Sequence, residues 1–427
     1  MTLARLLLLA TLLPAGRAVA QSDPVAESRA HYRAAVRAYE AHDLPGFLKH
    51  AREAQLRRPA HGGAIYALAS ALALNGDPDG ALAALGRFAS LGYSADVAAD
   101  SDFAGLRNDS AYAELVRRLE QNRAPLVASE VAFELRQPEL LIEGIAHDRR
   151  EDVFYVGSVR QGKIFRVSRE GAVTEFAPEL PAGWAPLGLR VDSKRNALWV
   201  ATAALPQTAG YNAADSGRSA IVKFDLHSRR LAGRYAAAAD GNPHLIGDLV
   251  VSRAGDVYAT DSRAPVLYRI PAGGDSLERF VESPLLLSAQ GLAFTPDERT
   301  LYVADYARGI LRVDPVRPAV SLVEAADSVL ALGVDGLYFH RGGLVAIQNG
   351  VTPHRVVRFT LGPGGDRLLR VQVLERAHPR YHEPTLGVLE NDRLYYIANS
   401  QWDRFGEDGG IASPEALEPT VVLRLPL

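Results

Sequence analysis

Residues 290–306 read QGLAFTPDERTLYVADY. A small anchor, Gly291, opens a short apolar run. Thr295-Pro296-Asp297 makes a turn, and Leu301-Tyr302-Val303 forms a second strand with an aromatic centre. The same phrase recurs along the rest of the chain: Glu143-Gly144-Ile145, Leu187-Gly188-Leu189, Gly247-Asp248-Leu249, Gln290-Gly291-Leu292, Asp335-Gly336-Leu337 and Leu386-Gly387-Val388. Its anchors at 144, 188, 248, 291, 336 and 387 stand about one propeller blade apart, because a blade takes about 40–50 residues.

Each copy continues with an aromatic or aliphatic second strand and then a third. The third strand carries one basic residue between apolar neighbours: Arg166, Lys223, Arg269, Arg312, Arg358 and Arg424. Alternation puts that side chain on the opposite sheet face from its neighbours, so these six read as solvated or lying over adjacent blades. A fourth strand follows five copies, at 173–177, 231–236, 277–281, 320–323 and 369–374. The sixth copy runs out of chain at Leu427, while one spare strand, 131–136, precedes the first. That spare strand can complete the sixth blade. The expectation is an all-β six-bladed β-propeller over residues 130–427, with both its ends in one blade.

Residues 24–122 follow another rule. Apolar residues recur at three and four, as in Tyr32, Val36, Tyr39 and then Leu44, Phe47, Leu48, Ala51. Asp43 and Asp77 can each cap a helix, and they stand 34 residues apart, the tetratricopeptide period. The segment resembles about two tetratricopeptide units plus a final helix over 111–121. Such helices offer a groove for a protein partner, or serve as a structural appendage. Pro125 breaks the helix, so the linker is expected at 122–129.

The chain has 427 residues, 48% apolar and 23% charged, with a formal net charge of -3. That balance gives no footprint for nucleic acid. At the start, Arg5, the apolar run 6–13 and Ala18-Val19-Ala20 read as a signal peptide over 1–20, cleaved after Ala20. Eight apolar residues are too few for a membrane span, which takes about 20. The expectation is a periplasmic or secreted protein. It has no cysteine, so its stability comes without disulfides.

The start of an inner strand and the end of the next strand lie at the same end of a blade. That places Glu143, Asp248, Gln290, Asp335, Asn349 and Asn399, with His244 nearby, at one mouth of the central channel. Glu143, Gln290 and Asp335 share one slot, immediately before the anchor glycine. Two carboxylates and an amide carbonyl suit a hard divalent cation.

Three stretches, LIEGIAHD at 141–148, QGLAFTPDERTLYVADY at 290–306 and VDGLYF at 334–339, resemble the senescence-marker-protein/gluconolactonase/luciferin-regenerating-enzyme family. The likeness spans most of residues 138–427. It implies a six-bladed propeller holding one divalent cation, calcium, with magnesium, manganese or zinc as other occupants. The family's cation ligands fall on Glu143, Gln290 and Asp335. Gln290 stands where the family has Asn, Gly247-Asp248 where it has Asn-Asp, and Leu245 where an Arg meets sugar-lactone oxygens. The scaffold is therefore matched more fully than the substrate contacts.

Two functions stay open at this point. One is an exported metal-dependent hydrolase of a lactone or ester. In it, Asp335 or Asp248 serves as general base, and His244, Asn349 and Asn399 orient a small-molecule substrate. The other is a non-catalytic propeller that binds a small ligand or a protein. The chain has neither a G-x-S-x-G nucleophile elbow nor a P-loop.

Overall fold

The computed structural model describes residues 23–177, 180–411 and 413–427. The expected signal peptide and its cleavage point lie outside the described residues. Among the described residues no helix is long and apolar enough to cross a membrane. The chain divides into two compact units, a helical one ending at Ala124 and a propeller beginning at Pro125.

The helical unit holds α1 (Pro24–Glu40), α2 (Leu44–Arg57), α3 (Gly62–Leu74), α4 (Pro78–Ser90) and α5 (Ser110–Arg123). Each start has a side-chain cap. Asp43 and Asp77 accept from Gly46 and Gly80 backbone N–H groups, with proline in the first turn of both helices. A carboxylate there satisfies an orphan amide and meets the positive helix end. The core is built of small residues around one ring: Phe47 sits among Ala35, Ala51, Ala67 and Ala71. Alanine lets α1, α2 and α3 approach closely, so a single phenyl fills the space between them.

The propeller has six blades, confirming the architecture expected from the repeat. Blades 1 to 4 are four-stranded antiparallel sheets with strands in chain order. Blade 5 adds a short parallel edge strand, Glu324–Ala325, beside Arg367–Arg376. Blade 6 is completed by the spare strand, Glu130–Leu135, which pairs with Thr420–Pro426. The first and last strands of the ring thus share a sheet, which removes two free edges.

The glycine anchors have a common cause. A Cβ on Gly144 would lie 2.1 Å from the Leu187 carbonyl oxygen, and one on Gly291 would lie 2.5 Å from that of Asp335. Inner strands of adjacent blades approach so closely here that no side chain fits. The register also shifts at this point, between Ile142 and Ile145, Ala289 and Leu292, and Val334 and Leu337. Such a bulge re-aims the residue before the glycine.

The basic third-strand residues are half-buried. Arg166 pairs with Glu151, Arg424 with Glu130, and Lys223 lies over the Trp199 ring at 5.1 Å.

Candidate functional site

Polar residues at the mouth fall into two sets. The first ends each second strand and is spent on holding loops. Ser158 donates to the Leu140 carbonyl, and Thr202 to that of Ala220. Asp305 accepts four backbone N–H groups, from Leu287, Ser288, Ala307 and Arg308. Gln348 donates to the Leu330 and Leu332 carbonyls and accepts from Arg355. Buried polar groups so fully satisfied are structural.

The second set is the acids. Glu143 keeps part of its surface open to the channel, yet protein atoms crowd it on every side. Burial pushes its carboxyl well above the usual range, and the nearby Asp335 pushes it further. The indole Nε1 of Trp402 donates to Glu143 Oε2 at 2.6 Å and opposes that shift. Asp335 is pushed up to about 7, first by burial, while the Asn349 amide that donates to its Oδ2 at 2.8 Å holds it down. A third acid joins them. Glu383 is also pushed up to about 7, by burial and then by Asp335 and Asp403. Tyr306 completes the group, its phenol raised by burial and then by the charges of Asp335 and Glu383.

Among the described residues no Lys or Arg forms an ion pair with Glu143, Asp335 or Glu383. The Asn349 carbonyl oxygen is buried without a hydrogen-bond partner. So the site gathers acids that burial makes costly to ionise, and an orphaned polar atom beside them is also an oxygen acceptor. Carboxylates and carbonyl oxygens are the groups that hard cations take as ligands. Among the described residues, no three of His, Asp or Glu are arranged to hold one metal by themselves. A cation here would rest on a mixed set of carboxylates and amide carbonyls.

Gln290 donates through Nε2 to Ser288 Oγ at 3.2 Å, and its carbonyl oxygen lies near Gly247. Asp248 lies one position further along its inner strand, at the anchor site. Arg190 Nη2 holds its Oδ2 at 3.0 Å, and Leu249 N–H holds its Oδ1. Burial pushes the Asp248 carboxyl up and Arg190 pulls it back. A carboxylate committed to a guanidinium is poorly placed to take a proton from water, so a base role for Asp248 finds no support in its contacts. His244 uses its ring nitrogens on Asp261 at 2.7 Å and Asp240 at 3.2 Å. Asn399 donates to the Pro419 carbonyl and accepts from Val421 N–H, which ties the last strand of blade 6. Both His244 ring nitrogens are engaged, and Asn399 has one N–H and one oxygen lone pair in use. Their polarity is explained by loop anchoring.

Glu383, Trp402 and Tyr306 escape the repeat rule. Glu383 precedes the sixth inner strand, outside the slot. Trp402 sits in the 401–417 loop, whose length alone flags it. Tyr306 follows Asp305 directly at a strand end.

A cavity of about 240 Å³ opens at the later halves of the inner strands. Val250, Leu292, Leu337 and Val388 line it with Arg190, Tyr338 and Glu298.

No family model and no curated protein matches this chain. Solved structures that resemble it include a gluconolactonase of Xanthomonas campestris, at 18% identity over 69% of this chain and 88% of that one, TM-score 0.45. Luciferin-regenerating enzyme gives 14% identity over 71% and 96%, TM-score 0.46. The PQQ-bound aldose sugar dehydrogenase of Streptomyces coelicolor gives 14% over 70% and 99%, TM-score 0.47. Two of these carry names from the family that the sequence resembles. A propeller scaffold does not by itself set a reaction, so the reaction is argued from the residues at the mouth.

Proposed function

We infer that the acid-lined mouth hydrolyses a lactone or other ester with one bound divalent cation of the calcium, magnesium or manganese kind. The observation that carries this reading is the Glu143–Asp335 pair: two crowded carboxyl groups, both pushed up by burial, with the Asp335 charge adding to the cost of ionising Glu143 and no cationic side chain paired to either among the described residues. The donors fit such an ion, being all oxygen: Glu143, Asp335, the Gln290 carbonyl and the orphaned Asn349 Oδ1. When bound, the cation would polarise the ester carbonyl and acidify a water.

The chain's own residues supply the rest. Asn349 fixes Asp335 by donating through Nδ2 to Oδ2, so Oδ1 is the oxygen offered to the ion. Trp402 holds Glu143 Oε2 and covers it with an apolar ring. Glu383 is the acceptor best placed to hold a proton, because its carboxyl titrates at about 7 and carries no ion pair with a basic side chain among the described residues. A base poised near the working pH is half available and still strong enough to act.

The test is metal analysis of the full-length protein, with lactone and aryl-ester hydrolysis measured before and after chelation. Bound divalent metal, chelator-sensitive turnover and a loss of about 100-fold or more in Glu143→Gln and Asp335→Asn are expected. Turnover indifferent to chelation and to both substitutions would sink the reading. Cation binding with no turnover on any ester would leave a ligand-binding propeller.

A further inference from the structure

The helical unit holds a second place where metal-ligating groups meet. His31 on α1 and His50 on α2 face one another with their Nδ1 atoms 3.1 Å apart. The ring centroids are 5.4 Å apart and the planes are inclined by 34°. Both side chains are half-buried, so their pair is open to water. Two imidazole nitrogens at 3.1 Å both reach one point about 2.0–2.1 Å away, the zinc–imidazole distance, with about 100° between the two bonds. That angle lies between the edges of an octahedron and a tetrahedron.

The surroundings support this arrangement. Glu27 lies one turn before His31 on α1, and Glu53 lies three residues after His50 on α2. Arg57 draws both carboxylates to one place, Nε to Glu27 and Nη1 to Glu53. Paired with Arg57, these acids lie one turn from the imidazoles and can accept hydrogen bonds from an ion's waters. Without an ion, only one of the two Nδ1 atoms can carry the hydrogen between them, so the contact is a single hydrogen bond between two good ligands.

We propose that His31 and His50 form a two-imidazole clip for one zinc, copper or nickel ion, with water completing the coordination. It pins α1 to α2. Imidazole selects these ions over calcium and magnesium, so the clip is chemically distinct from the oxygen-lined mouth. It is independent of whether the propeller hydrolyses anything.

The experiment titrates the full-length protein with copper(II), then zinc, with calcium as a control. Copper(II) electron paramagnetic resonance is expected to show coupling to two nitrogens. His31→Ala and His50→Ala should each weaken binding by about tenfold or more and remove one nitrogen coupling. His227→Ala, an exposed histidine of the propeller, should leave both unchanged. Zinc should raise the melting temperature of the helical unit in the parent and not in either clip variant. Far-ultraviolet circular dichroism checks that the variants keep their helices, and His31→Gln serves as a second probe if His31→Ala unfolds. Copper binding that survives both substitutions, or a spectrum with no paired nitrogen coupling, overturns the proposal.

Discussion

Asp335 and Glu383 both titrate near 7 in the folded protein, well above their ordinary range. Between that range and about 7, the folded protein holds protons that the unfolded chain has released. Stability therefore falls as pH rises through this window. Metal-free protein should show a melting temperature that declines from pH 5 to pH 7.5, and Asp335→Asn should flatten that decline. A divalent cation at the mouth should restore stability at the upper end, because binding favours the ionised acids. Thermal scans across pH, with and without calcium, decide this. Trp402→Phe removes the one donor held on Glu143 Oε2. The Glu143 carboxyl should then rise further, which a proton-release measurement on cation binding would detect as a larger release.

Among elements, the segment before the ring is held by one buried acid. Glu375 is fully buried, and its carboxyl accepts from Ala128 N–H, Ser129 N–H, Ser129 Oγ, Tyr381 OH and Tyr396 OH. Beside it, Leu126 and Arg376 exchange backbone hydrogen bonds. Glu375→Ala would strand several donors, at a cost of about 3 kcal/mol or more. Limited proteolysis should then cut near Val127, and an unchanged digestion pattern would refute the latch. In the helical unit, Phe47→Ala leaves a cavity between α1, α2 and α3, since Phe47 has no exposed surface. A loss of about 3–5 kcal/mol is expected, read from denaturant unfolding of the helical signal.

At the scale of the whole molecule, stability depends on ring closure. The strand Glu130–Leu135 supplies the outer edge of blade 6 and pairs with Thr420–Pro426. Deleting residues 130–136 leaves a three-stranded blade with an open edge. Such a variant should melt more than about 5 °C lower and aggregate, while shortening the outer strand of blade 4 should cost less. Equal losses from the two deletions would argue against closure as the source.

The repeat carried the fold because it is local and periodic. Gly144, Gly188 and Gly291 recur where neighbouring inner strands leave no room for a side chain, and the spare strand at 131–136 is countable along the sequence. The slot before each glycine was equally legible, and it contains Glu143 and Asp335. Tertiary structure decided which polar residues are free. His244 and Asn399 looked available in the sequence, yet Asp261 and Asp240 engage both His244 ring nitrogens, and Pro419 and Val421 tie Asn399 to the last strand of blade 6. Asp248 was claimed by Arg190, 58 residues away. Glu383 and Trp402 came to the acids from loops that follow no period. Periodicity is a property of the chain and can be read along it. A proton's cost or a hydrogen bond's partner depends on atoms distant in sequence, so burial and charge at the mouth emerged only once the ring had closed.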